Sequence, residues 1–322
     1  MKYTHLGRTG LQVSRLCLGT MNFGPHTTEK DSHAILDRTQ DVGLNFIDTA
    51  DVYGWKMGEG ITEQIVGRWI AASGKRKDIV LATKVYGKMG AGVNDRGLSA
   101  YHIIQACEAS LMRLQTDHID LYQMHHIDRQ TPWDEIWQAM ETLVQQGKVL
   151  YVGSSNFAAI NLVEAQYEAK SRHFLGLVSE QSLYNLHTRA IELELIPACL
   201  KYGIGLIPWS PLASGLLGGV LQTSGTVRRQ EDSRKTLIDK HRDQLERYEA
   251  FCSEIGKPPG QVALAWLLSQ PAVTAPIIGP RTMDQFEDAL QALDLELSVD
   301  HLKTLDEIWP GPGGHAPEAY AW

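Results

Sequence analysis

Eight short, apolar, β-rich runs recur along this chain, and no other feature limits its fold so strongly. They are Arg15 to Gly19, Asn45 to Asp48, Ile79 to Lys84, Ile119 to Met124, Val149 to Gly153, Leu177 to Glu180, Ile204 to Pro208 and Val273 to Ile278. Amphipathic stretches fill the gaps, with Ile61, Ile65, Val66, Trp69 and Ile70 on one helical face and Ile103, Ile104, Cys107, Leu111 and Leu114 on another. Runs this short and this apolar are strands buried on both faces, and parallel neighbours need crossover helices between them. Successive runs start about thirty to forty residues apart until the last interval, which is about seventy. The cadence predicts an α/β fold, a (β/α)8 TIM barrel formed as a single domain by residues 1–322, with reactive groups at the C-terminal ends of its strands. A doubly wound sheet would usually carry G-x-G-x-x-G after its first strand, and the chain contains no such string.

Two features decorate the barrel. Tyr3 to Leu6 and Leu11 to Val13 flank Gly7-Arg8-Thr9-Gly10, a pattern for an N-terminal β-hairpin plugging one end. The long interval between the seventh and eighth strands holds a Gly/Ser-rich loop, about Ser210 to Arg234, then two helical segments. A loop of that length suggests function.

Charge and cysteines narrow the partners. A net charge of −8 provides no electrostatic footprint for nucleic acid or an anionic membrane surface. The longest apolar run, Val262 to Leu268, is far short of the ~20 residues a membrane helix needs. Cys17, Cys107, Cys199 and Cys252 are widely separated and no export signal follows Met1, so reduced thiols and a cytoplasmic location are expected.

The polar residues at the C-terminal ends of the runs carry the chemistry. Strand two delivers Asp48 and, in its loop, Tyr53; strand three ends on Lys84; strand four leads into His125 and His126. Lysine is rarely buried unless paired, and Asp48 is the available partner. One reading is a bridge tying two strands, with Tyr53 and His125 as pocket wall. The other is chemical: reducing a carbonyl by hydride needs a proton donor at the developing alkoxide, and tyrosine's ordinary pKa is about 10. Bringing it near 7 takes roughly 4 kcal/mol. A cation about 4 Å away at an effective dielectric near 20 supplies a similar amount, so Lys84 is expected to lower the Tyr53 pKa. Asp48 would hold Lys84 while His125 orients the carbonyl oxygen.

Asp48-Thr49-Ala50-Asp51-Val52-Tyr53-Gly54, Lys84 and Asp120-Leu121-Tyr122-Gln123-Met124-His125 resemble the catalytic tetrad segments of the aldo-keto reductases, and the resemblance runs essentially end to end. It implies a TIM barrel with an N-terminal hairpin that reduces small aldehydes or ketones with NADP(H), held extended across the barrel mouth. By the same resemblance, Ser155, Asn156 and Gln181 hold the carboxamide, and Trp209 stacks on the nicotinamide. Ser210, Leu212, Gly215 and Leu217 fold over the pyrophosphate through backbone N–H groups, Gly279 opens the phosphate corner, Arg281 and Gln285 match the adenosine-phosphate contacts, and Asp288 falls in the adenine-binding segment. A guanidinium at Arg281 favours NADPH over NADH. Ser155 could instead cap a helix. One departure stands out, because many relatives carry asparagine after the acidic residue that Asp288 matches, whereas this chain has Ala289.

Met21, Trp55, Tyr86 and His126 would wall the substrate pocket. Adjacent histidines rarely converge on one metal from a strand, so no metal is expected. Relatives resembling potassium-channel β-subunits keep the barrel and bind NADPH while serving a partner, which is the alternative reading; a barrel isomerase or lyase with no nicotinamide is a third. Oligomerisation is left open. The tail, Trp309 to Trp322, is too rich in proline and glycine to be helical, and is expected either to dock or to fray.

Overall fold

A computed structural model describes residues 1–221 and 232–316. Strands β1 (Tyr3–His5) and β2 (Gln12–Ser14) form the antiparallel hairpin, Tyr3 opposite Ser14. Eight parallel strands follow: β3 (Cys17–Gly19), β4 (Phe46–Asp48), β5 (Val80–Val85), β6 (Ile119–Met124), β7 (Val149–Ser155), β8 (Leu177–Gln181), β9 (Gly205–Leu206) and β10 (Ile277–Ile278). Their order is β10-β3-β4-β5-β6-β7-β8-β9. The ring closes where Leu206 N donates to Ala272 O at 3.0 Å, Thr274 N to Leu206 O at 2.8 Å and Ile277 N to Pro208 O at 2.8 Å.

Six helices cross over between successive strands: α1 (Glu29–Asp41), α2 (Ile61–Ser73), α3 (Ala100–Leu114), α4 (Trp133–Gln145), α5 (Ala159–Ser171) and α6 (Leu195–Tyr202). Between β9 and β10 lie α7 (Asp232–Lys240), α8 (Arg242–Glu254) and α9 (Pro259–Ser269), one more helix than the two expected. The last strand is followed by α10 (Met283–Leu290) and α11 (Val299–Ile308). All eight expected strands form, but β9 and β10 are much shorter than their apolar runs. Pro208 and Pro276 lie in those runs and have no N–H to give a ladder.

Alternation along the strands builds the interior. Phe46, Val80, Ala82, Leu121 and Ile207 fill it, with Leu6 and Val13 of the hairpin packed against them. The same rows turn polar at the top: two residues on from Phe46 is Asp48, from Ala82 is Lys84, from Leu121 is Gln123. The hairpin seals the bottom through Gly7, whose φ is +55° and whose missing side chain would meet Val178 O at 2.3 Å. No other residue suits both the conformation and the contact.

Strand β8 contains an irregularity that the apolar pattern does not reveal. Val152 of β7 pairs with Leu177, but the next residue, Gly153, pairs with Ser179, leaving Val178 as an extra residue on β8. This bulge shifts the parity of everything after it. Gln181 therefore enters the barrel, where it meets Asp48, while Glu180 lies behind the sheet with Ser154.

Candidate active site

Asp48, Lys84 and Tyr53 come together at the top of the barrel. The Lys84 Nζ is fully buried and donates three hydrogen bonds: to Asp48 Oδ1 at 2.5 Å, to Thr49 O at 2.8 Å and to Tyr53 Oη at 3.1 Å. The other Asp48 oxygen accepts from Gln123 Nε2 and Gln181 Nε2, both at 2.9 Å. Gln123 was not among the site residues inferred from sequence. Its inward parity on β6, two residues after Leu121, was the signal that could have found it.

Tyr53 is carried by a turn in which its N–H bonds Ala50 O at 3.2 Å. The chain then folds back at Gly54, with φ +150°, where a Cβ would lie 1.8 Å from Gly58 O. Only glycine permits that reversal, which ends in the one-turn 3-10 helix Trp55–Met57 and its exposed indole. His125 follows β6; its ring meets Tyr53 edge-on at 6.0 Å between centroids and stacks on His126 at 5.1 Å.

Electrostatics correct one expectation. Burial raises the Tyr53 pKa more than the Lys84 charge lowers it, with Asp48 adding to the rise, so the phenol sits above the ordinary tyrosine value and not near 7. The Lys84 charge is already balanced by Asp48 at closer range. Lys84 itself is pulled down by burial, but attraction to Asp48 and Tyr53 outweighs this and holds it above the usual lysine range. Burial, then Lys84 and His126, push His125 down to about 2, which makes it a neutral imidazole at ordinary pH.

The β7 end and the segment after β9 meet beside this cluster. Ser155 Oγ donates to Gln181 O at 2.8 Å, and α5 begins beyond Ala158, so Ser155 does not cap that helix. Asn156, in the left-handed region at φ +59°, donates to His125 O at 3.2 Å and accepts from Trp209 Nε1 at 3.0 Å. The half-buried indole of Trp209 is thus fixed by its N–H, with its ring free to offer a face.

In the segment after Trp209, Ser210, Ala213, Ser214 and Gly215 all have positive φ. Its amides largely turn inward: Ser214 N bonds Ser210 Oγ, Gly215 N and Leu217 N both bond Leu212 O, and Gly218 N bonds Gly215 O. The Leu217 side chain is fully buried in the core, and its N–H is taken by Leu212 O. Of the rest of the expected loop, 222–231 lies outside the described residues and 232–234 open α7.

Beyond β10, the neighbour of β9 across the ring closure, Gly279 O accepts from Asn22 Nδ2 at 2.8 Å, and Arg281 N bonds Gln285 Oε1 at 2.8 Å ahead of α10. Arg281 is exposed. Asp288 accepts from Gln261 Nε2 of α9 at 2.7 Å. The lip carries Met21, Trp55, Tyr86 and His126, Tyr86 and His126 meeting edge-on at 5.3 Å, and His26 standing edge-on to Trp55 at 5.0 Å. His26 was not anticipated. No group of three or more metal-binding side chains occurs among the described residues, and none of the helices described is long and apolar enough to cross a membrane.

The donor set suits a nicotinamide dinucleotide: a fixed aromatic face at Trp209, an amide-rich corner at Ser155, Asn156 and Gln181, and an exposed guanidinium ahead of α10. The sequence profile described as "Aldo/keto reductase family" matches residues 15–310. The uncharacterized oxidoreductase YrpG of Bacillus subtilis (strain 168) is 55% identical over 327 residues, covering 100% of both chains. A versiconal hemiacetal acetate reductase of Aspergillus parasiticus is 33% identical over 348 residues, with 99% of this chain and 100% of its own covered. A probable voltage-gated potassium channel subunit beta of Oryza sativa subsp. japonica is 35% identical over 309 residues, 92% of each chain.

Proposed function

The chain belongs to the aldo/keto reductase family of oxidoreductases, and from that premise we propose that it reduces an aldehyde or ketone to the alcohol with NADPH, Tyr53 acting as general acid. The observation that carries this reading is the bond from Lys84 Nζ to Tyr53 Oη at 3.1 Å. An ammonium only donates. The phenolic proton must therefore point elsewhere, and the open direction is the barrel mouth.

Ser155, Asn156 and Gln181 would hold the carboxamide, and Trp209 the nicotinamide face. Ser210, Leu212, Gly215 and Leu217 would close over the pyrophosphate, while Gly279, Arg281, Gln285 and Asp288 take the adenosine end. When bound, the cofactor supplies a hydride to the carbonyl carbon. His125, neutral, donates an N–H to the carbonyl oxygen and fixes its direction. Tyr53 gives its proton to that oxygen as negative charge develops there, and Lys84 stabilises the phenolate left behind. The apolar and aromatic lip suits a carbonyl compound with an apolar body.

Incubating the protein with NADPH and a panel of aldehydes and ketones, and following nicotinamide absorbance, tests the proposal. Tyr53→Phe is expected to cut turnover by about 10²- to 10⁴-fold with NADPH binding retained. Equal rates for the two proteins would defeat it. The likeness to the rice channel subunit supports a second reading, an NADPH-binding regulatory subunit. That reading predicts slow turnover with all substrates and cofactor that survives gel filtration.

A further inference from the structure

Glu180 is a buried carboxyl group behind the sheet, on the face away from Asp48 and Lys84. Its relative accessibility is 0%, and it accepts three hydrogen bonds. Oε1 takes Phe157 N at 3.1 Å and Ser182 Oγ at 2.6 Å, and Oε2 takes Ser154 Oγ. No cation pairs with it among the ion pairs of the described residues. Burial raises its pKa, and only hydroxyl and amide donors, Ser154 first, oppose that rise.

The identity of the donors gives the arrangement its meaning. Ser154 and Phe157 flank Ser155 and Asn156, and Ser182 follows Gln181. One carboxylate therefore brackets, on both strands, every residue read as a carboxamide contact. Ser182 O also accepts Trp209 N at 3.0 Å, and Asn156 bridges Trp209 Nε1 to His125 O. Asn156 is held at positive φ, a conformation an unsupported asparagine would readily leave.

We propose that Glu180 is a positioning residue for the hydride-donor subsite, clamping the β7 turn to the end of β8 from behind so that Asn156, Gln181 and Trp209 keep one alignment. The inference rests on the reductase reading. It predicts that the clamp acts on the cofactor side of the reaction and leaves carbonyl recognition at the Trp55 and His126 lip unaffected.

Glu180→Gln keeps an acceptor for Phe157 N and can still bond both serine hydroxyls; Glu180→Ala keeps neither. In the full-length protein, NADPH affinity is read from quenching of tryptophan fluorescence, and hydride transfer from the primary isotope effect with 4-deuterated NADPH. Glu180→Ala is expected to weaken NADPH binding about tenfold and to change the isotope effect, with the Michaelis constant for the carbonyl within about twofold. Glu180→Gln is expected to recover affinity to within about threefold. If Glu180→Ala does not fold, Ser182→Ala, which keeps the carboxylate and removes one donor, carries the test with an expected loss of about threefold. A lowered melting temperature with unchanged NADPH affinity and isotope effect overturns the inference and leaves the reductase reading intact. Absence of NADPH binding by the unaltered protein overturns the reductase reading, and this inference with it.

Discussion

Lys84 has three hydrogens to give and gives all three inside the barrel, to Asp48, Thr49 and Tyr53. This saturation assigns the direction of the Tyr53 proton without any need for a lowered pKa. It also sets a pH profile. The proposed reduction needs Tyr53 protonated, and a phenol held above its ordinary value stays protonated through neutral and mildly alkaline pH. His125, at about 2, contributes no ionisation near neutrality. The rate constant kcat/KM for reduction is therefore expected to be flat from about pH 6 to 9. Alcohol oxidation, which needs the phenolate, is expected to rise with pH across that range; an inflection near pH 7 in the reductive direction would contradict the assignment. Asp51, two residues before Tyr53, makes a different prediction. Both of its oxygens are buried, and burial, reinforced by Glu63, raises its pKa well above the ordinary carboxylate value against the weaker pull of the Val52 N–H, Arg113 and Lys84. The native state then holds a proton that the unfolded chain releases above about pH 3.9. Stability from this group is complete below that pH and is lost as pH rises toward the folded value, by up to about 1.4 kcal/mol per unit. Asp51→Asn should thus become progressively more stable than the parent as pH rises above about 4 in urea unfolding. A constant difference between the two proteins would mean that Asp51 is ionised.

At the scale of elements, the hairpin and the bulge locate the site vertically and angularly. Gly7 lets the hairpin turn press on the backbone of β8 and β9. Gly7→Ala is expected to cost about 2 kcal/mol or more, lowering the melting temperature by several degrees, with the Michaelis constants unchanged. All eight strands were legible because parallel strands covered on both faces are written as apolar runs, a signal that survives without alignment. The meeting of Asp48, Lys84 and Tyr53 was legible because Asp48 and Lys84 end such runs and Tyr53 lies in the loop that leaves the first of them. The bulge was not legible. Leu177-Val178-Ser179-Glu180-Gln181 has no alternation to break, so nothing in it states that Gln181 turns inward and Glu180 outward. The Tyr53 pKa was misjudged for a related reason. A pairwise estimate counts the lysine charge, while the competing burial and the Asp48 charge exist only once the barrel has closed.

The whole molecule is a ring that the chain leaves once for a long excursion. Between β9 and β10 it makes α7, α8 and α9, whose apolar faces join Trp309 and the end of α11 in a second core. The described part of the tail docks rather than frays: Gly311 packs on Arg189, and Ala316 N bonds Leu193 O at 3.0 Å. The terminal aromatic residues, within 317–322, lie outside the described residues. Closure of the ring falls on its two shortest strands, both truncated by proline, and the joint between them has a single bridge from Leu206 to Val273. A closed sheet exposes no edge, so a fluctuation that opens this one must begin at its thinnest joint. The amides of Leu206 and Thr274 should consequently exchange with deuterium well before those of Leu121 and Tyr122 on the far wall. Leu206 at the seam is two residues from Pro208 and three from Trp209, which makes the strand that leads to the Trp209 indole the most readily unlatched stave of the barrel.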